Sequence, residues 1–260
     1  MRRASQATVL FVMGAFSGTL LLCLIAKAHD AGDRVRCAND LRQIGLALAN
    51  YHDTYNRFPA AAMKNDALPP DKRISWLVEI VPFVESTDLY SRMDREKGWD
   101  ADQNRYSALT GMRIFLCPGK SSRTHDSTLA PTDFIGISGV GADAATLPQG
   151  DPKAGFFGYE RKLTLSDIRA CDGTSIAAME TSRATCSWTA AGLPTVRGLE
   201  PDGLSYLGND GQFGGNHRGG ANVLFADASV RFLDSSIEPR VLEALVKICA
   251  DGKPSPFEAN

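Results

Sequence analysis

The run DRVRCANDLRQIGLALANYHDTY, Asp33 to Tyr55, decides how this chain is built. Val35, Ala38, Leu41, Ile44, Leu48 and Tyr51 recur every three or four positions, the spacing of one apolar helix face. Arg36, Asp40, Gln43, Ala47 and Asn50 fall on the opposite face. Gly45 costs a helix interior about 1 kcal/mol against alanine, which suggests a close approach by another element. Arg57-Phe58-Pro59 ends the helix.

Ahead of this run stand twenty uncharged residues, Ala7 to Ala26. At about 1.5 Å per residue a helix of that length spans roughly 30 Å, the hydrocarbon thickness of a bilayer. Val9, Leu10, Phe11, Leu20, Leu21, Leu22, Leu24 and Ile25 would face lipid. Arg2 and Arg3 favour an inside N-terminus, and Lys27, Arg34 and Arg36 on the far side pull the other way. So short a leader carries no domain to translocate, so N-in is preferred. A retained signal anchor is the leading reading. Cleavage as a signal peptide stays open, because Ala26-Lys27-Ala28 has the small-x-small pattern of a cut site. Lipidation at Cys23 is set aside because Leu22 is too bulky before a modified cysteine. The chain divides into an anchor, residues 1–32, and an extracytoplasmic domain, residues 33–260.

The 260 residues carry a net charge of -2, without the clustered basic face that a nucleic-acid partner needs. With 43% hydrophobic and 22% charged residues the domain is a folded one. The 24 glycines and 13 prolines favour strands and loops over a helical bundle. Of six cysteines, Cys23 lies in the apolar run. Cys37, Cys117, Cys171, Cys186 and Cys249 would meet an oxidising space on export, where disulfides form. No C-x-x-C pair is present, and the pairing is not readable from spacing.

Further along, Ile74 to Met93 reads as a helix, with Pro82 as a kink or boundary. Arg113 to Cys117, Thr132 to Ser138 and Ser175 to Glu180 read as strands, and Trp188 to Arg197 as a loop. The clearest local pattern is ANVLFADASVRFL. Ala221 to Ala226 and Ser229 to Leu233 alternate around Asp227-Ala228, predicting a two-residue hairpin. Pro239 to Ala250 closes the chain as a helix.

At these residues the chain resembles the membrane-anchored bacterial proteins of domain-of-unknown-function family 1559, which carry an H-X9-DG motif. His217 and Asp227 stand at that spacing, with Ala228 where the family usually has glycine. Gly219, Gly220, Asn222 and Phe225 fall within the motif. Cys37 to Pro59 is similar to the family's opening signature. Ser75-Trp76, Leu116-Cys117-Pro118, Asp172-Gly173-Thr174-Ser175 and Ser187-Trp188-Thr189 follow in the family's order. The resemblance implies an α+β, pilin-like fold: a long N-terminal helix, half in the membrane and half packed on an antiparallel sheet, with loop-rich insertions and a C-terminal helix. It also implies a place in a type II secretion or pilus-like assembly. The leader departs from the prepilin pattern, because no carboxylate occurs between Met1 and Asp30.

The candidate chemistry is sparse. His217 paired with Asp227 would make a proton-transfer or metal site. A hairpin rising about 3.3 Å per residue holds them more than roughly 15 Å apart, so backbone bonding by His217 and turn duty for Asp227 are expected. Asn209-Asp210-Gly211 and Asp202-Gly203 offer oxygens to calcium, but no D-x-[DN]-x-[DN]-G run occurs. Neither G-x-S-x-G nor H-E-x-x-H is present. The expectation is a non-catalytic, single-pass inner-membrane protein with its head in the periplasm or at the cell surface. Its partners would be the membrane and copies of itself or envelope proteins. No cofactor, metal, nucleic acid or small-molecule substrate is assigned. The alternative is an extracytoplasmic binding module for calcium, carbohydrate or an envelope protein, with Trp99, Trp188 and the glycine-rich loops as its surface.

Overall fold

The computed structural model describes residues 2–84, 87–120, 129–169, 175–183, 186–203 and 205–248, with residues 2–26 described as helix backbone alone. The side chains expected to form the anchor, Val9 to Ile25, with Cys23, Cys171, Cys249 and the Asp172-Gly173-Thr174 turn, lie outside the described residues. Among the described residues no helix is long and apolar enough to cross a membrane.

Helix α1 runs unbroken from Arg2 to Tyr55. Cys37, Leu41, Ile44, Leu48 and Tyr51 are buried on it as the spacing predicts. Two positions are corrected. Val35 is 58% exposed because core contact begins only at Cys37, whereas Ala47 is fully buried. The buried stripe is thus wider and starts later than the sequence pattern drew it. A Cβ on Gly45 would lie 2.8 Å from Leu224 Cδ1 and 3.2 Å from Ala228 Cβ, so the hairpin seats directly on this turn of α1.

Five strands form one sheet in the order β3-β1-β2-β4-β5: β1 Phe134–Val140, β2 Ile176–Glu180, β3 Val196–Leu199, β4 Gly220–Phe225 and β5 Val230–Asp234. The fold is α+β, but the sheet is mixed rather than antiparallel, because β3 pairs parallel with β1. The sequence pattern places β3 within a loop. Its four residues sit at a sheet edge, too short for alternation to register.

Both faces of the sheet are covered. Phe134, Ala178 and Leu224 join the α1 stripe with Trp76, Phe157 and Trp188. Ile135, Ile137, Met179, Val223 and Phe225 face Leu242, Leu245 and Val246 on the opposite side. Leu242 and Leu245 belong to a short helix, Pro239–Leu245, which stops before the predicted Ala250. Strands β1, β2 and β4 are therefore buried throughout, while edge strand β5 is only partly covered.

The region from Ile74 to Met93 is not one helix. It breaks into α2 (Trp76–Ile80), a 3-10 turn at Val81–Phe83 and α3 (Thr87–Ser91). Pro82 lacks the N–H that would continue the first piece. Helices α4 (Arg105–Leu109) and α5 (Leu165–Arg169) are as short, and the C-terminal helix is α6. Arg113–Phe115 is a 3-10 turn rather than a strand, and Leu116 after it is extended. Trp188 is fully buried, its indole N–H donating to Thr110 O, so it offers no binding surface. Trp99 is half-buried and donates to Asp71 O.

Candidate functional site

The hairpin differs from the two-residue form. Ala228 N–H donates to Phe225 O and Phe225 N–H to Ser229 O, which makes Ala226-Asp227-Ala228 a three-residue loop. Ala228 takes φ +65, and Asp227 is not in the positive-φ region. This is a tight turn followed by a left-handed residue, the bulged arrangement that favours glycine at its last position. Asp227 Oδ1 accepts from Ser229 N–H, so Asp227 serves the turn as expected. The tip borders an apolar cleft of about 510 Å³, lined by Gly45, Leu48, Phe58, Phe156 and Ile168 among others.

His217 lies beyond the other end of β4, in a loop turned by Gly214, Gly215 and Gly219, all at positive φ. Its side chain does not bond backbone as expected. It is fully enclosed, with Nε2 3.2 Å from Cys117 Sγ and 3.4 Å from Glu180 Oε1. Nδ1 lies 3.6 Å from Asp30 Oδ1 on α1 and is otherwise without a hydrogen-bond partner. Burial by itself lowers the His217 pKa. The hydrogen bond and charge of Glu180, with Asp30 behind them, outweigh it, and the net shift is upward.

Each neighbour is held by its own element. Glu180, fully buried, ends β2. Its Oε2 accepts from Asn222 N–H at 2.9 Å and its Oε1 from Asn222 Nδ2 at 2.8 Å. Asn222 Nδ2 also donates to Arg34 O, tying β4 to α1. Cys117 follows the 3-10 turn, with its N–H on Asp133 Oδ2 at 2.8 Å, and Lys120 Nζ reaches Asp133 Oδ1 at 3.0 Å. Gly119 packs so tightly on the imidazole that a Cβ there would collide with the ring. Cys117 Sγ is bonded to Cys37 Sγ, closing a disulfide across 80 positions of sequence. Cys186 is a free thiol.

Three stretches that carried the resemblance, at Cys37, Leu116-Cys117-Pro118 and His217, thus converge at one buried point. Asn222 joins them. Gly219 and Gly220 shape the approach: a Cβ on Gly220 would meet the Leu233 carbonyl on β5. Phe225 and Asp227 stay at the far end of β4, Phe225 under the Arg231 guanidinium at 4.9 Å. Glu180 and the cysteine pairing escaped sequence reading. The one signal was an acid ending the otherwise apolar strand IAAME.

Cys37, Cys117, Glu180 and His217 place one donor atom each within 4.8 Å of one another. Asp202 and Asp210 join no such group among the described residues, and Gly211 N–H closes a turn on Gly208 O. Chemically the arrangement is an acid–base pair against a disulfide, sealed from solvent. It braces the stem against the head, and no substrate reaches it without local opening.

Searches of curated proteins and of solved structures each return no match. A family model described as "Protein of unknown function (DUF1559)" matches residues 26–185 and 177–240. Those two segments cover every strand of the sheet and the site just described, and the chain belongs to the DUF1559 family of proteins of unknown function.

Proposed function

We propose that the chain is a non-catalytic, pilin-like structural or interaction protein of the bacterial cell envelope, held in the inner membrane by its first helix. The observation that carries this reading is α1: one helix from Arg2 to Tyr55, apolar from Ala7 to Ala26, whose first buried residue among those described is Cys37. At that residue the helix is bonded covalently to the head. A disulfide fits an exported head in an oxidising compartment. Clamping the stem where it enters the core transmits load between membrane and head, a use suited to a pseudopilus or secretion assembly. The leader's lack of a carboxylate before Asp30 favours a stand-alone anchor over a packed filament subunit.

The test is fractionation of cells expressing the full chain, with the mature N-terminus determined and protease added from outside the inner membrane. Membrane retention with α1 intact and a protease-accessible head supports the reading. A soluble product beginning at His29 refutes it. Crosslinking in membranes divides the two versions: oligomers support assembly, and monomers alone leave the stand-alone anchor. A second reading, a binding module for an envelope protein, draws on the apolar cleft beside Ala228.

A further inference from the structure

We propose that Cys37, Cys117, His217 and Glu180 form a redox-gated zinc site. The dithiol form holds one Zn²⁺ between these four side chains, and closure of the disulfide expels it. This stands independently of the membrane reading above.

The donor set is two sulfurs, one imidazole nitrogen and one carboxylate oxygen, a combination suited to tetrahedral zinc. Zinc–ligand bonds of about 2.0–2.3 Å put tetrahedral donors roughly 3.3–3.8 Å apart. Two separations already lie close to that range: Nε2 to Cys117 Sγ at 3.2 Å and Nε2 to Glu180 Oε1 at 3.4 Å. The bonded sulfurs must part, which reduction allows, and the donors, now spread over up to 4.8 Å, must draw in around the ion.

The surroundings are those of a built site. His217 presents Nε2 to the cluster while its buried Nδ1, without a hydrogen-bond partner, lies 3.6 Å from Asp30 Oδ1, a short approach away from the carboxylate–histidine arrangement that orients a zinc-bound imidazole. Glu180 is fixed through Asn222, and Cys117 through its N–H to Asp133. A structural disulfide alone requires neither a buried histidine nor a buried carboxylate beside it. Two such groups cost desolvation that a metal centre would offset.

The chemistry balances. Zinc binding to the dithiol releases one proton from each thiol, plus the imidazolium proton if present, and gives a centre with two thiolates, one imidazole and one carboxylate. A disulfide oxidant RSSR then accepts two electrons from the two thiolates. The Cys37–Cys117 bond forms, two RS⁻ leave and Zn²⁺ departs, because disulfide sulfurs are poor ligands. A newly made chain carries its cysteines as thiols, so the metal form would precede the disulfide form.

The experiment uses the full chain in detergent, reduced by a phosphine or left oxidised, with Co²⁺ as the optical probe and Zn²⁺ as competitor. The expected result is one Co²⁺ per reduced chain, with a thiolate charge-transfer band and tetrahedral ligand-field bands. Zn²⁺ abolishes both bands, and diamide oxidation releases the bound Zn²⁺ stoichiometrically. Cys37→Ser, run beside the parent so that the remaining thiols cancel, loses the tetrahedral spectrum. Asp30→Asn weakens binding roughly 10–100-fold, and Asp227→Asn leaves it unchanged. Equal binding by the oxidised chain, an unchanged spectrum in Cys37→Ser, or no cobalt on a folded reduced chain overturns the proposal. If reduction unfolds the chain, refolding with Zn²⁺ must restore the native near-UV signal, and failure to do so overturns it as well.

Discussion

Replacing both Cys37 and Cys117 with alanine removes the covalent tie between α1 and the head, and the structure sets its worth. The bond closes a loop of 80 residues. The chain-entropy relation gives about 15 cal/mol/K for a loop of that length, or about 4.5 kcal/mol at 25 °C. Two buried sulfurs are lost as well, adding about 1–2 kcal/mol through the cavity they leave. Urea unfolding of the full chain in detergent, with a chelator present, is the assay. Trp76 and Trp188 are fully buried and report it by fluorescence. With an m-value of about 2–3 kcal/mol/M, the midpoint is expected to fall by roughly 1.5–3 M. Reducing the parent under the same conditions isolates the loop contribution. A fall below about 0.5 M would show that packing alone docks α1, and the clamp argument would fail.

Ala228→Gly relieves a left-handed alanine worth about 1–2 kcal/mol, less about 0.7 kcal/mol for the looser unfolded chain. The melting temperature should rise by roughly 1–4 °C; a drop would mean that the Ala228 methyl against Gly45 matters more. Gly45→Leu drives a side chain into Leu224 and Ala228 and should cost about 2–3 kcal/mol in urea unfolding, against a helix-propensity gain of about 1 kcal/mol. No loss would show that the hairpin lifts off α1. Burial raises the Asp40 pKa from 3.8 to about 6, with Arg113 opposing. The folded state therefore holds that proton better than the unfolded chain. Its contribution is present below about pH 4 and lost as pH rises through about 6. Asp40→Asn should be more stable than the parent at pH 7, with the gap closing towards pH 4. A rise from 3.8 to about 6 corresponds to about 3 kcal/mol, which solvent screening of this half-buried group cuts to about 1 kcal/mol. A gap that is constant with pH would assign the effect to something other than Asp40 titration.

The stem helix was legible because a 3.6-residue period is local, and the burial of Leu41, Ile44, Leu48 and Tyr51 follows from it. Strands β1, β4 and β5 were legible for the same reason at period two, and β2 as a short apolar run. The hairpin's place was legible and its three-residue loop was not, because only the fold shows Ala228 in the left-handed conformation that glycine takes more easily. The run Arg113 to Cys117 misled, because apolar content in five residues does not distinguish a strand from a 3-10 turn that carries a buried cysteine to α1.

By itself the sequence determined the stem, the alternating strands, the hairpin position and the stretches that place the chain in its family. Tertiary structure decided the rest: the parallel docking of β3, the extent of the buried helix face, the Cys37–Cys117 pairing and the seat of His217 beside Glu180. The last two join residues separated by 80 and by 37 positions, beyond the reach of any local periodicity. Only closing the chain around a shared core puts those side chains within 4.8 Å of one another, and no residue among them announces its partner beforehand.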